Sequence, residues 1–470
     1  MVGARAEVSR RFVHAATGIA VALCPPFFTA PTGIYALAVL FAGVNVVAIR
    51  RRFFPGMHGT ERETWGTVAF PLALIAALWL CWTLDPGRVY ILQTAFLVLG
   101  VSDPLAAWVG ERSRGRAYRV NGQTKTLAGS LAFAASAAGL VAFGVVVWGP
   151  EAFDWREVVM GALVAAGLAA SAEALGTKGW DNLWIVLAVV VALAALGPHP
   201  MYVAPFLFIA LIVAVVFAAL SWRVGFLDLS GALAAGLLAW GVVGLGPMAA
   251  GGAGWAAVGF TFFFASSVLS RLGRRRKRDA EARAIKGNRR DAGQVLANGG
   301  VAAVYLAATA FASEPAQGAL FVAFVGAFAA AAADTWGTEI GTWVGGPTWD
   351  VLRWRRVPPG ESGGVSIAGT LGGMLGALLI GWVAVGLGTS LWAATLAVGA
   401  GVLGAWTDSL LGATVQARFL APDGSLTERP TLGGQSLPLA RGWRWVSNDM
   451  VNGACTAVGG AVPLVVLGLA

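Results

Sequence analysis

The sequence predicts an all-helical protein that crosses a membrane many times. Of its 470 residues, 57% are apolar and only 12% are charged, whereas a soluble protein carries about 25% charged residues. The apolar residues form long runs, for example at positions 13–28, 33–49 and 65–82. One helical span needs about 20 such residues, while the strands of a membrane barrel would show short alternating segments. The runs therefore favour helices.

The basic residues predict how the chain is oriented. Lys and Arg number 33 against 24 Asp and Glu, a net charge of +9. The excess lies in short loops between the apolar runs, as the positive-inside rule describes, so it indicates topology and not nucleic-acid binding. We expect about fifteen spans in a bacterial cytoplasmic membrane, with the N-terminus in the cytoplasm and the C-terminus outside.

Acidic residues beside the apolar runs are the first candidates for chemistry, because ionisable groups in spans are costly and often functional. Seven of them fall at or near the predicted cytoplasmic ends of spans: Asp103, Glu173, Asp181, Asp334, Glu339, Asp408 and Asp449. Any one of them is equally consistent with a helix cap or a solvated helix end. Seven on one side favour sites that face the cytoplasm.

The two halves of the chain repeat one order of elements. An acid is followed seven residues later by glycine, as Asp103 by Gly110 and Asp334 by Gly341. A helix start with the pattern hydroxyl-x-Ala-Gly-hydroxyl follows at 126–130 and 366–370. A third acid comes next, and an acid with an adjacent asparagine completes each set, at 181–182 and 448–449. The repeated order indicates duplication into domains 1–198 and 199–470.

These elements suit Mg²⁺-nucleotide chemistry. A helix start offers free N–H groups and a positive dipole end to a phosphate, and Mg²⁺ prefers one or two carboxylates together with phosphate oxygens and water. Phosphoryl transfer depends mainly on positioning and charge stabilisation. Lys125 directly precedes the first helix start, so we expect it to contact phosphate in addition to setting the topology.

Two other functions share parts of this pattern. Duplicated halves and intramembrane acids also occur in transporters, although there the acids should lie at mid-membrane beside broken helices. A lipid cytidylyltransferase has a similar arrangement of acid, lysine and glycine, and it releases pyrophosphate. Both alternatives remain open at this point.

Five stretches of the first half, at 9–18, 61–72, 102–110, 125–130 and 173–183, resemble the dolichol kinase and phytol kinase family of CTP-using polyprenol kinases. The resemblance covers most of residues 5–195. Plant phytol kinases carry a second acid four residues after the first, where this chain has Ala107. This departure leaves the prenol undetermined and requires any further metal ligand to come from elsewhere.

Five stretches of the second half, at 286–300, 333–336, 363–370, 407–413 and 448–452, resemble the membrane family whose plant member is phytyl-phosphate kinase. This resemblance runs from about residue 228 to the end. Together the two resemblances imply a natural fusion that phosphorylates a prenol, of phytol or geranylgeraniol type, first to the monophosphate and then to the diphosphate. They imply Mg²⁺ as cofactor and CTP as donor. The expected partners are the prenol, the prenyl phosphate and the nucleotide, and a homo-oligomer is left open.

The resemblance to the first family, together with the spacing, gives the first half its predicted site. Asp103, Glu173 and Asp181 would hold Mg²⁺, with Asp103 and Glu173 also catalytic. The residues predicted to contact or accommodate the nucleotide phosphates are Lys125, Thr126, Ser130, Gly110 and Gly129. His14 and Asn182 are further candidates.

The second half receives the corresponding prediction. Asp334, Glu339, Asp408 and Asp449 would hold Mg²⁺, with Asp334 and Asp408 also catalytic. Asn298, Ser366, Gly369 and Thr370 would contact phosphate, and Asn448 and Asn452 are further candidates. Because Val365 stands where the first half has Lys125, the cations of this half are predicted to be Lys286, Arg289 and Arg290.

Overall fold

The computed structural model describes residues 2–51, 65–151, 153–197, 200–272 and 289–468. The chain divides into two units, Met1–Ile212 and Val213–Ala470. We call them unit 1 and unit 2. The assignment of a different reaction to each side of residue 198 stays a prediction.

The helices that the structure describes account for most of both units. Unit 1 contains α1 (Val2–Leu23), α2 (Thr32–Arg51), α3 (Gly66–Leu78), α4 (Val89–Arg112), α5 (Leu127–Trp148), α6 (Trp155–Leu175) and α7 (Asp181–Ala194). Helix α8 (Pro200–Val224) contains the division between the units. Unit 2 continues with α9 (Leu229–Trp240), α10 (Gly254–Arg271), α11 (Ala292–Ala308), α12 (Glu314–Val344), α13 (Ile367–Gly386), α14 (Leu391–Thr414) and α15 (Asn448–Val466).

Twelve helical segments within the described residues are long and apolar enough to cross a membrane. Helices α1, α7 and α10 are not among these twelve. The prediction of an all-helical polytopic membrane protein is confirmed. The orientation of the termini stays a prediction.

Short strands occur in the connections, where the sequence indicated only loops. In unit 1, β1 (Ala117–Val120) pairs antiparallel with β2 (Gln123–Thr126). In unit 2, β3 (Thr348–Asp350) pairs antiparallel with β4 (Arg356–Val357) and β5 (Gly364–Val365). Such pairing satisfies backbone groups that have no helical partner.

The long connection between α14 and α15 contains the remaining strands of the described chain. They are β6 (Arg418–Leu420), β7 (Leu426–Thr427), β8 (Thr431–Leu432), β9 (Gln435–Ser436) and β10 (Leu439–Arg441). Strand β6 lies between β10 and β7, while β8 and β9 form a separate hairpin. All of these pairs are antiparallel.

Glycines set the helix contacts that position the acids in unit 1. Helices α1 and α4 approach closely at Gly18 and Gly100, where a Cβ atom added to Gly18 would lie 2.5 Å from the Gly100 Cα. An ion pair between Arg11 and Glu111 joins the same two helices. This crossing brings His14 of α1 beside α4.

Helix α12 is the central helix of unit 2. Its middle, from Phe321 to Ala333, is buried throughout, and its small residues admit close neighbours on several sides. A Cβ atom added to Gly373 of α13 would lie 2.7 Å from the Ala333 carbonyl oxygen, and one added to Gly401 of α14 would lie 2.6 Å from the Ala329 Cβ. Helices α13 and α14 are thereby held against the part of α12 that precedes Asp334.

Candidate functional site

A carboxylate and a histidine meet in unit 1. Asp103 lies in α4, and its Oδ2 atom is 3.6 Å from Nε2 of His14. The same histidine nitrogen lies 3.3 Å from the Leu99 carbonyl oxygen. His14, which sequence reasoning placed among the further candidates, is therefore beside the first predicted acid.

Lys125 and Glu173 form a mostly buried ion pair in unit 1. Lys125 Nζ donates to Glu173 Oε1 at 2.5 Å and to the Glu173 carbonyl oxygen at 2.7 Å. The two side chains are 15% and 11% exposed. The hairpin β1–β2 presents Lys125 to the last turn of α6, and its turn residue Asn121 donates to the Leu175 carbonyl oxygen at 2.9 Å.

The predicted acids of unit 1 lie near one another. Asp103 is within electrostatic range of Asp181, Glu173 and Lys125. Asp181 is in the first turn of α7, while the adjacent Asn182 donates to the Gly66 carbonyl oxygen at 3.0 Å. Asn182 is thus a contact between α7 and α3, and Asp103 of α4 interacts with the carboxylates of α6 and α7 and with Lys125.

The glycine-containing helix start of unit 1 is a packing element. Thr126 caps α5 by accepting a hydrogen bond from the Gly129 amide at 3.2 Å. A Cβ atom on Gly110 would lie 2.9 Å from Thr126 Oγ1, and one on Gly129 would lie 2.9 Å from the Ala106 carbonyl oxygen. Gly110 and Gly129 therefore admit the neighbouring helix. The hydroxyl of Ser130 is 2.5 Å from the hydroxyl of Tyr118.

The same contact recurs in unit 2. Ser366 caps α13 by accepting from the Gly369 amide at 3.1 Å, and a Cβ atom on Gly341 would lie 3.2 Å from Ser366 Oγ. One on Gly369 would lie 3.0 Å from the Gly337 carbonyl oxygen. Gly337 follows Asp334 by three residues, as Ala106 follows Asp103. The repeated sequence elements therefore make equivalent helix–helix contacts in both units.

Two carboxyl groups face each other in unit 2. The side chains of Asp334 and Asp408 are in hydrogen-bonding contact. With its amide nitrogen turned toward two acceptors, Asn452 donates to Asp408 Oδ1 and to the Asn448 carbonyl oxygen, both at 3.1 Å. Two facing carboxyl groups need a shared proton or a cation between them, because like charges at this separation repel.

Asp334 is farther from the end of its helix than the sequence indicated. It precedes the end of α12, Val344, by ten residues. It also follows the helix start, Glu314, by twenty residues, a rise of about 30 Å that equals the thickness of the bilayer core. Asp334 is thus separated from the start of α12 by about the thickness of a bilayer core, and the helix continues for ten residues beyond it.

A cavity of about 450 Å³ in unit 2 joins most of the residues predicted for this half. The predicted residues that line it are Arg290, Asn298, Asp334, Glu339, Ser366, Gly369, Thr370, Asp408, Asn448 and Asn452. The Asn298 Oδ1 atom is buried and has no hydrogen-bond partner among the described residues. Because an unpaired buried polar atom is costly, this atom suits a ligand.

The three cations predicted for unit 2 differ in their positions. Arg290 lines the cavity and donates to Ser270 Oγ at 3.1 Å. Burial lowers the pKa of Arg290 and the carboxylate of Glu339 raises it, and arginine stays charged. Arg289 is exposed and lies against Gly225. Neither Arg289 nor Asp449 is among the described residues that line the cavity, and Lys286 is outside the described residues.

Sequence reasoning missed a buried arginine that supports the cavity wall. Arg418 of β6 is 2% exposed. It donates to Ser362 Oγ at 3.1 Å, Glu428 Oε1 at 3.0 Å and Glu361 Oε1 at 3.1 Å. These three partners line the cavity. The sequence predicts only a cytoplasmic loop at 417–445, and a lone arginine in such a loop gives no signal of burial.

The donor set of unit 2 fits Mg²⁺. Among the residues that the structure describes, no group of three or more His, Cys, Asp or Glu is placed to hold a metal ion. Mg²⁺ typically uses one or two protein carboxylates, with phosphate and water completing its shell. The facing pair of Asp334 and Asp408 meets that requirement. In unit 1, Asp103 and Asp181 are the carboxylates that do not form the pair with Lys125.

Comparison with known proteins gives one family match. The family model described as "Integral membrane protein DUF92" matches residues 212–460. An uncharacterized membrane protein of Synechocystis is 27% identical over 218 residues, which cover 45% of this chain and 75% of that protein. Protein PGR of Arabidopsis thaliana is 28% identical over 233 residues, 45% of this chain and 79% of that protein.

A further relative carries the name of an enzyme. A protein of Synechocystis named phytol kinase is 31% identical over 188 residues, which cover 39% of this chain and 76% of that protein. No solved structure matches the chain.

Proposed function

Because the chain belongs to the DUF92 family of integral membrane proteins and to a phytol kinase-like family, we propose that it is a membrane kinase that phosphorylates isoprenoid alcohols. The observation that carries this proposal is the repeated arrangement of carboxylates beside a capped helix start in both units. In unit 1 Lys125 stands among these acids, and in unit 2 they line a cavity together with Arg290.

The two units would perform consecutive steps. Unit 1 would convert a prenol, of phytol or geranylgeraniol type, to its monophosphate, and unit 2 would convert the monophosphate to the diphosphate. A nucleoside triphosphate, CTP in this proposal, would donate the phosphoryl group each time. Having both steps in one chain keeps the intermediate in one bilayer plane.

The two steps require different help from the protein, and the two units differ accordingly. An alcohol must lose a proton as its oxygen attacks the γ-phosphorus, so the first step benefits from a base. Asp103, which lies beside His14, would accept that proton. The new O–P bond forms as the bond to the β-phosphate oxygen breaks, and the nucleoside diphosphate leaves. Lys125 would offset the negative charge on the transferring group.

A lipid monophosphate dianion already carries an unprotonated oxygen, so the second step needs no base but must bring two anions together. Arg290, which lines the cavity of unit 2, would bind the lipid phosphate through its planar guanidinium. Asp334 and Asp408 would hold Mg²⁺ on the nucleotide, and when bound this ion neutralises phosphate charge. The hydroxyls of Thr370 and Ser409, which also line the cavity, would orient phosphate oxygens.

Turnover by the purified chain in nanodiscs tests the proposal. The protein is supplied with Mg²⁺, with geranylgeraniol or phytol, and with CTP or ATP, and products are identified by mass spectrometry. Prenyl mono- and diphosphate together with a nucleoside diphosphate would support it. Release of pyrophosphate with a cytidylyl-lipid product would indicate a cytidylyltransferase instead. Flux of prenol or prenyl phosphate without any turnover would indicate a transporter.

A further inference from the structure

The cavity of unit 2 has an apolar side between two helices. Met374 of α13 and Val402, Ala405 and Trp406 of α14 line it, together with Gly373. Met374 is nevertheless 45% exposed and Trp406 is 44% exposed. Residues that line a cavity and are also exposed mark the place where that cavity reaches the surface. We call the gap that these five residues flank the α13–α14 cleft.

The cleft is closed at one end by a direct helix contact. Gly381 of α13 faces the side chain of Val398 of α14, so the two helices touch there. Gly381 follows Met374 by seven residues, a rise of about 10 Å. Helix α12 lies behind the cleft, because Gly373 packs on the Ala333 carbonyl oxygen and Gly401 packs on Ala329.

The apolar side lies at the depth of the facing carboxyl pair. Gly373 contacts Ala333, which immediately precedes Asp334, and Trp406 is two residues before Asp408 in α14. Both α13 and α14 are long and apolar enough to span the membrane. In a membrane, the exposed parts of Met374 and Trp406 would therefore face lipid, next to the candidate reaction site.

We propose that the α13–α14 cleft binds the isoprenoid chain of the lipid monophosphate and admits it sideways from the bilayer. This rests on the proposed function of unit 2. An apolar chain attached to a phosphate needs an apolar route that ends at polar groups. The same cavity is also lined by Ser270, Arg290, Gln294 and Asn298, which suit phosphate groups. Methionine adapts its shape to flexible apolar ligands, as a prenyl chain requires.

Photo-crosslinking tests where the chain lies without requiring turnover. Farnesyl monophosphate with a diazirine at the end of its chain is irradiated with the full-length protein in nanodiscs, without nucleotide, and labelled peptides are mapped by mass spectrometry. We expect labelling at 373–378 and 398–406 that excess geranylgeranyl phosphate suppresses and inorganic phosphate does not. Competed labelling around Phe226 and Arg271, which line the cavity but do not flank the cleft, would overturn the proposal. Equal, uncompeted labelling of all lipid-facing helices would also overturn it.

A bulky substitution tests the route during turnover. Ala405→Trp fills the cleft and should lower kcat/KM for geranylgeranyl phosphate at least about tenfold, with the KM for nucleotide unchanged. Leu375→Trp is the matched control, because Leu375 is 57% exposed and is not among the described residues that line the cavity. Trp406→Ala, which removes bulk, should change the preference for chain length even if Ala405→Trp fails to fold.

Two results separate this inference from the proposed function. Full activity of a folded Ala405→Trp variant on geranylgeranyl phosphate would overturn the proposed role of the cleft and would leave the kinase proposal standing. If the wild type turned over no prenyl phosphate, the kinase proposal would fail, and the crosslinking pattern would still report whether the cleft binds the chain.

Discussion

Replacing Lys125 with methionine removes the cation that pairs with Glu173 in unit 1. The lysine makes two hydrogen bonds to Glu173, at 2.5 and 2.7 Å, and the two side chains are only 15% and 11% exposed. Removing one partner of a buried ion pair typically costs about 3–5 kcal/mol, because the other charge stays buried and uncompensated. We expect the free energy of unfolding of Lys125→Met to fall by that amount.

The double variant Lys125→Met with Glu173→Leu separates stability from chemistry. Replacing a whole buried pair by apolar residues of similar volume is often close to neutral, so most of the lost stability should return. Phosphorylation of the prenol should be abolished in both the single and the double variant. Denaturant unfolding in detergent gives the stability, and mass spectrometry gives the product. A single variant within about 1 kcal/mol of wild type, or a double variant no more stable than the single one, would refute the reasoning.

Three further predictions concern unit 2. Asp408→Asn removes one of two facing carboxyl groups; prenyl monophosphate should accumulate, with the second step slowed at least about 100-fold, and thermal unfolding should show no loss of stability. Gly341→Ala places a methyl group 3.2 Å from its neighbours and should cost about 1–3 kcal/mol. Gly318→Ala in the same helix meets no atom within 4 Å and should be neutral or stabilising by about 0.5–1 kcal/mol in the same unfolding assay. Arg418→Met should destabilise by about 3–5 kcal/mol. Arg353→Met removes a half-exposed arginine, and because its partner Asp350 keeps two backbone hydrogen bonds, it should cost under about 1 kcal/mol; limited proteolysis of residues 416–447 compares the two variants.

The predictions that came from apolar runs and repeated spacing agree with the structure because both patterns depend on residues that are close together in the chain. A run of apolar residues is enough to predict a membrane helix. The interval of seven residues between Asp334 and Gly341 places an acid and a helix contact on the same helix. Most of the residues predicted for unit 2 also line its cavity. Gly110 and Gly341 admit a neighbouring helix, which is one of the two roles that the spacing predicts, and the contact of Gly110 with a phosphate stays a prediction.

Contacts between distant parts of the chain could not be predicted from the sequence. Arg418 meets Glu361 across 57 positions, and His14 meets Asp103 across 89. Neither pair produces a periodic pattern in the sequence, because such a contact depends on the tertiary arrangement of loops and helices. The short strands at 348–365 and 418–441 were missed for a related reason, since two- or three-residue strands carry no alternation long enough to recognise.

The most direct test of the account asks which unit performs which step. Asp103→Asn and Asp334→Asn are each reconstituted in nanodiscs with Mg²⁺ and CTP, and each is given geranylgeraniol or geranylgeranyl monophosphate in separate reactions. The account predicts that Asp103→Asn leaves the alcohol unchanged yet converts supplied monophosphate to diphosphate. It predicts that Asp334→Asn makes monophosphate from the alcohol and converts none of it further. Loss of both steps in both folded variants, or of the same step in both, would contradict the division of labour between the two units.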